Sequence, residues 1–260
     1  MNILSIGGSD PSSGAGIQSD IKTFSNYNVY GFTVVTAVTS QNTKKVASIE
    51  PVSSKSLKSQ LESVLSDFQI DAVKIGMVYD SKTIRTIHSK LKNIKVPIVV
   101  DPIIKSTTGT TLLKKNALPD YKKMIVPLAG VITPNKYEAK ILSGISNPGK
   151  AARKLQSMGA KCVIITGATT SKGKISDLIL EQNKEYKISG KKIPITNHGS
   201  GCNYSASIAV SLAKGNTINS AVKTAKEYVY QSIKNSKKIG KGVRITDRPI
   251  SNGKKELADS

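Results

Sequence analysis

Tryptophan is absent from these 260 residues, phenylalanine occurs three times, and there are only two cysteines and two histidines. The cysteines, Cys162 and Cys202, make no disulfide framework. With His88 and His198 they do not pair into the ligand spacing of a zinc site, which needs three or four ligands. So few aromatics offer little for bases to stack on. Arginine is confined to Arg85, Arg153, Arg244 and Arg248, sparse for a protein that reads guanine and phosphate through bidentate contacts. Acidic residues are scarce as well, 17 against 39 Lys and Arg, for a formal charge of +22. That balance suits anionic partners: nucleotides, phosphorylated metabolites, nucleic acid or a membrane surface. The lysines are scattered rather than blocked, which equally describes a solvated lysine-rich surface. No apolar run approaches the roughly 20 residues that cross a bilayer, and MNILSIGGSD meets its glycines too early for a signal peptide. A cytoplasmic protein without membrane or nucleic-acid partners is expected.

What is present is aliphatic and periodic. The length allows one large α/β domain or two small ones. Strands are predicted at 3–7, 32–38, 72–78, 97–101, 130–133 and 161–166. Helices are predicted from Gly16, over 56–68, 81–93 and 135–143, from about 200, and over 219–236. Residues 176–195 look like two or three antiparallel strands. Alternating strands and helices predict a mostly parallel sheet covered on both faces. No linker or repeat divides the chain, so a single domain is expected over 1–240. A basic tail over 241–260, loosening from about Lys237, is expected to be partly flexible.

Two glycine motifs resemble phosphate loops and fail on inspection. GAGIQS (14–19) has Ser19 in place of the last glycine of the dinucleotide fingerprint, and no acid follows about 20 residues on. GISNPGKA (144–151) ends in Ala151 where a P-loop has the magnesium-binding hydroxyl, and a helix rather than a strand precedes it. A helix ending at Gly144 and a turn at Asn147–Gly149 account for that stretch. NHGSGCNYSASIAVSLAKG (197–215) is different. Gly199, Ser200 and Gly201 stand before an apolar helix, where small residues allow close backbone approach and free amides favour anions. Cys202 falls in the first helical turn, where the dipole lowers a thiol's pKa. The residues alone leave open a blander reading, in which Ser200 caps the helix and Cys202 packs.

The motifs GGSDPSSGAGIQSDIKTF, AVTSQNT, KIGM, VVDPI, TPNKYEA and HGSGC, taken in order over about residues 1 to 235, resemble the hydroxymethylpyrimidine and phosphomethylpyrimidine kinases of thiamine biosynthesis. These belong to the ribokinase-like superfamily, so the resemblance implies a ribokinase-like three-layer α/β/α sandwich and an ATP- and Mg²⁺-dependent kinase. It also implies a homo-oligomer. Gln41 would hydrogen-bond the aminopyrimidine ring. Gly8, Asp10, Gly14 and Gly16 would shape the substrate end. Asn135, Thr166 and Gly167 would lie along the nucleotide, with Glu138 and Asp101 holding magnesium indirectly. Gly199, Ser200 and Gly201 would stabilise the transferring phosphoryl group while Cys202 faces the acceptor. Asn135 and Glu138 also read as a helix capping box.

The chain departs from that pattern in several places. Ser200 and Asn203 stand where the family usually has Thr, and Thr107-Thr108-Gly109 replaces Lys-Ser-Gly, removing a lysine suited to phosphate. IITGA lacks a second glycine, and GKGVRITDRP diverges. A cysteine at 202 is also typical of a related subgroup of pyridoxine kinases, so a pyridoxine or pyridoxal kinase is the alternative activity. A non-catalytic ligand-binding protein on the kinase fold is the alternative of another class.

Overall fold

The computed structural model describes residues 1–195, 197–247 and 249. In chain order the first half holds β1 (Asn2–Ser9), α1 (Gly16–Asn26), β2 (Tyr30–Gln41), β3 (Val46–Pro51), α2 (Ser54–Asp67), β4 (Ala72–Ile75), α3 (Ser81–Leu91) and β5 (Ile98–Val100). A short α4 (Leu118–Asp120) lies inside an irregular helical run over 115–128. Then come β6 (Val131–Ile132), α5 (Lys136–Ser143), α6 (Pro148–Ser157), β7 (Cys162–Ser171), β8 (Lys174–Glu181) and β9 (Lys184–Lys191). The last elements are β10 (Asn197–His198), α7 (Ser200–Ala213), α8 (Ile218–Lys234) and β11 (Arg244–Ile245).

The period-two alternation of the strands sorts their side chains between two helical layers. Leu4, Ile6, Val73, Ile75, Val100, Ile132, Val163 and Ile165 pack with residues of α2, α3, α5 and α6. Their neighbours Ile3, Ala72, Val99, Val131 and Ile164 pack with α1, α7 and α8. The nine-stranded sheet has the order β3-β2-β1-β4-β5-β6-β7-β8-β9. Its strands from β2 through β7 are parallel, and β3, β8 and β9 join antiparallel at the margins. This is the three-layer arrangement implied by the resemblance. The chain winds outward from β1 to β2 and resumes on β1's other side at β4. The switch point opens a crevice beyond the carboxyl ends of the parallel strands.

One expectation changes. The supposed turn at Asn147–Gly149 is the start of α6: Asn147 caps it by accepting from the Lys150 amide at 3.0 Å, and Pro148 takes the first helical position. Residues 237–247 bond to the body of the domain. β11 pairs in parallel with β10, and the Val243 amide donates to the Thr43 carbonyl at 3.0 Å. Gly240 and Gly242 lie so close to Thr43 that a Cβ would fall 2.5 and 2.0 Å from its atoms. The glycines that suggested slackness permit close approach. The rest of the expected tail, 248 and 250–260, lies outside the described residues. Among the described residues no helix is long and apolar enough to cross a membrane.

Candidate active site

The crevice is a cavity of about 790 Å³. Gly8, Asp10, Gly16 and Gln41 line one end, and Asn135, Glu138, Thr166 and Gly167 the other. Asp101 and the stretch Gly199–Cys202 lie on the same wall. Of the residues singled out from sequence, Gly14 alone is off it. Gly14 packs behind His198, where a Cβ would sit 2.6 Å from the imidazole ring.

Gly199 is the N-cap of α7, in the left-handed region at φ 99°, and neither it nor Ser200 caps the helix through a side chain. Ser200 is therefore the first helical residue, not the cap. A Cβ on Gly199 would lie 1.8 Å from the Gly14 carbonyl oxygen, so only glycine fits. The first-turn amides of α7 consequently keep free donors beside the cavity, aligned with the positive helix end.

Cys202 is 6% exposed and receives a hydrogen bond from the Gly16 amide. Burial pushes its thiol up to about 12, although Lys74 and the Gly16 amide pull the other way. The downward shift expected from the helix dipole is thus outweighed by desolvation, and the group is a neutral thiol at pH 7.

Lys74, absent from the sequence-based site, is the cation beneath this wall. It is 1% exposed and bonds both oxygens of the fully buried Asp20, at 2.9 and 3.0 Å. The Ser5 hydroxyl donates to the same carboxylate at 2.6 Å. Burial depresses the lysine's pKa, but Asp20, Cys202 and Asp101 outweigh it and the net shift is upward. A lysine inside the apolar AVKIGMV was the available signal, since a buried ammonium requires a partner. Asp101 accepts from the Ser205 hydroxyl at 3.0 Å, and burial raises its pKa against the pull of Lys74.

At the Gln41 end, Asp10 accepts from the Ser12 amide and hydroxyl, the Ala15 amide and His198 Nε2, at 2.8 to 3.0 Å. Burial pushes its carboxyl up, but these bonds outweigh it and hold it at about 2. The Gln41 amide lies 2.7 Å from His198 Nε2, and Thr107 Oγ1 lies 3.3 Å from Nδ1.

At the far end, Asn135 and Glu138 form a reciprocal capping box, at 2.9 and 3.0 Å, while also facing the cavity. The two readings of this motif are therefore compatible. Gly167 (φ 59°) donates its amide to Asp177 at 2.9 Å, and Asp177 also takes Tyr204 and Lys226 at 2.8 and 2.9 Å. These supports were not read from sequence, because they are distant along the chain and meet only in the fold. Lys105, Lys191 and Lys192 add positive charge to the wall.

Burial, then Asp101, push Glu138 up from 4.5 to about 8. Between those values the folded state holds a proton that the unfolded state has lost, so stability falls as pH rises, by up to about 1.4 kcal/mol per unit. Glu138→Gln keeps the capping box and has no such titration. Its melting temperature relative to the parent should therefore climb between pH 5 and 8. A pH-independent difference would mean that Glu138 is already ionised.

Among the described residues no group of three or more His, Cys, Asp or Glu could hold a metal ion unaided. Asp101 and Glu138 supply two carboxyl groups on one cavity wall. That fits Mg²⁺, which keeps its waters and takes most remaining ligands from phosphates.

The phosphomethylpyrimidine kinase family profile matches residues 10–247. The hydroxymethylpyrimidine/phosphomethylpyrimidine kinase of Aquifex aeolicus is 36% identical over 95% of this chain and 100% of its own. The thiamine biosynthesis bifunctional protein ThiED of Geobacter sulfurreducens is 34% identical over 93% of this chain and 51% of its own. Among solved structures, phosphomethylpyrimidine kinase from Clostridium difficile superposes with a TM-score of 0.78 at 36% identity, covering 90% of this chain and 99% of that one. The pyridoxal kinase from Staphylococcus aureus in complex with AMP-PCP and pyridoxal gives 0.85 at 31%, covering 96% and 94%.

Proposed function

The chain belongs to the phosphomethylpyrimidine kinase family, and on that premise we propose that it phosphorylates 4-amino-5-hydroxymethyl-2-methylpyrimidine and then the resulting monophosphate, with ATP as donor, for thiamine biosynthesis. The observation that carries this reading is the uncapped start of α7, held by Gly199 between the Gln41 end and the Thr166–Gly167 end of one cavity. Phosphoryl transfer calls for positioning and charge stabilisation more than covalent chemistry. The α7 amides supply donors where charge gathers on the transferring group. Gln41 offers a carboxamide to the pyrimidine ring, and the Thr166–Gly167 irregularity within β7, braced by Asp177, faces the nucleotide. Mg²⁺, held through water by Asp101 and Glu138, would neutralise phosphate charge.

Cys202 faces the acceptor as a neutral thiol. In the first step it contacts the alcohol. The second acceptor is a phosphate already ionised near pH 7, which needs no base and which a thiol repels less than a carboxylate would. Cys202→Ala should therefore slow the alcohol step by about 10-fold, the scale of one orienting hydrogen bond, since a neutral thiol can position the hydroxyl but cannot take its proton. The monophosphate step should fall much less. Equal losses in the two steps would remove this division of roles.

A pyridoxal kinase is the second reading, favoured by the superposition on the S. aureus enzyme. Thr107, in place of a lysine, weighs against the second phosphorylation, although Lys105 also reaches the wall. The deciding experiment follows ADP release and phosphorus NMR with ATP, Mg²⁺ and, in turn, the pyrimidine alcohol, its monophosphate, pyridoxal and no acceptor. A diphosphate ester from the pyrimidine establishes both steps. Turnover of pyridoxal alone replaces the reading, and binding without turnover leaves a kinase-fold binder.

A further inference from the structure

The segment 237–247 holds none of the site residues assigned above, yet it bonds to both sides of the Gln41 end. Gly242 and Val243 donate their amides to the Thr43 hydroxyl and carbonyl, at 2.9 and 3.0 Å, two residues beyond Gln41. Farther on, the Thr246 amide and hydroxyl both donate to the His198 carbonyl, at 3.2 and 3.0 Å. The Thr246 hydroxyl in turn accepts from Asn203 Nδ2 at 3.2 Å, and Asn203 Oδ1 accepts from Ser19 at 2.6 Å. Asn203, one of the departures from the family pattern, therefore ties the strap to α1 and α7.

His198 passes this restraint into the cavity. The Asp10 carboxylate is ionised at neutral pH and can only accept, so His198 Nε2 carries the proton between them. A nitrogen donating to Asp10 cannot also accept from the Gln41 amide beside it. The two ends of a carboxamide differ by a half-turn, and the orientation that satisfies all three groups sets the Gln41 oxygen on His198. Its NH2 group is then left to the cavity, as a donor for an unprotonated ring nitrogen or another acceptor atom.

We propose that the strap 237–247, acting through Thr246 and His198, is a specificity-setting device for the phosphoryl acceptor: it fixes the imidazole that decides which end of Gln41 the acceptor meets. The proposal rests on Gln41 serving the acceptor, as in the function argued above. His198 and Thr246 are positioning residues. The nucleotide end has its own brace at Asp177 and should not feel the strap.

The test is Thr246→Val in the full chain, which keeps the shape and removes the hydroxyl. The acceptor KM should rise about tenfold, the scale of one or two hydrogen bonds, with kcat and the ATP KM within about twofold of the parent. Thr246→Ser should restore the acceptor KM. In His198→Leu, the preference in kcat/KM between the pyrimidine alcohol and pyridoxal should shrink by about tenfold or more, since an orienting hydrogen bond is lost. An unchanged acceptor KM in Thr246→Val overturns the proposal. So does a parallel rise in the ATP KM, or loss of AMP-PCP binding by a variant whose circular dichroism is unchanged, because either marks general loosening. If the parent protein turns over none of the acceptors, the functional reading fails separately. Calorimetric binding of the pyrimidine alcohol to parent and Thr246→Val then decides the strap: weaker binding by the variant supports it, and equal or no binding by both overturns it.

Discussion

Gly199→Ala should lower kcat by about 100- to 1000-fold, the loss seen when one donor of a preorganised anion site is displaced. The cause is steric and local. The new Cβ would lie 1.8 Å from the Gly14 carbonyl oxygen and 2.8 Å from Thr246 Oγ1, and an alanine at φ 99° is strained in any surroundings. Backbone rather than a flexible side chain blocks the way, so relief must come from moving the start of α7 or the 10–15 loop. Either movement shifts the amides that face the cavity. The ATP KM should change less than kcat, because an interaction made mainly in the transition state is the one removed. Steady-state kinetics with a thermal melt checks this. A folded Gly199→Ala protein with unimpaired kcat would show that the α7 amides do not carry the transfer.

The contrast between Gly199 and its surroundings shows how far the sequence could be read. The residues of HGSGC left an anion site and a plain helix start equally open, and the fold puts that stretch on the cavity wall. The Asn135–Glu138 pair and Thr166–Gly167 entered through the family resemblance, and the fold puts both on the wall of the same cavity. Other features depended on distances the sequence does not contain. The edge strand β3 is largely exposed and lacks an apolar run. α6 begins with Asn-Pro-Gly, which reads as a turn until Asn147 is seen accepting the Lys150 amide. At Cys202 two opposing effects are each visible in principle, the helix dipole and desolvation, but their relative size follows from burial, which only the packed structure fixes. In the strap, glycine and lysine suggest slackness, whereas two of its glycines let the backbone close on Thr43, a contact the sequence does not show.

Lys74→Met should cost about 3–5 kcal/mol of stability, because it leaves Asp20 as a buried carboxylate with its counter-charge removed. For a chain of this length that is a fall in melting temperature of roughly 6–20 °C, at about 2–4 °C per kcal/mol. Asp20→Asn should be damaging by the reverse route, since it strands a buried ammonium whose ion-pair partner is gone. A double variant, Lys74→Met with Asp20→Leu, removes both charges and should recover much of the stability, because well-packed apolar groups commonly match a buried ion pair. Activity should not return with it. Lys74 is the cation that favours charge at Asp101 and Cys202, and its Nζ stands 3.0 Å from where a Cβ on Gly76 would lie, at the cavity wall. Urea unfolding separates the two effects: stability restored without turnover assigns the ion pair to the site's electrostatics. Turnover restored along with stability would reduce Lys74 to a structural counter-ion for Asp20.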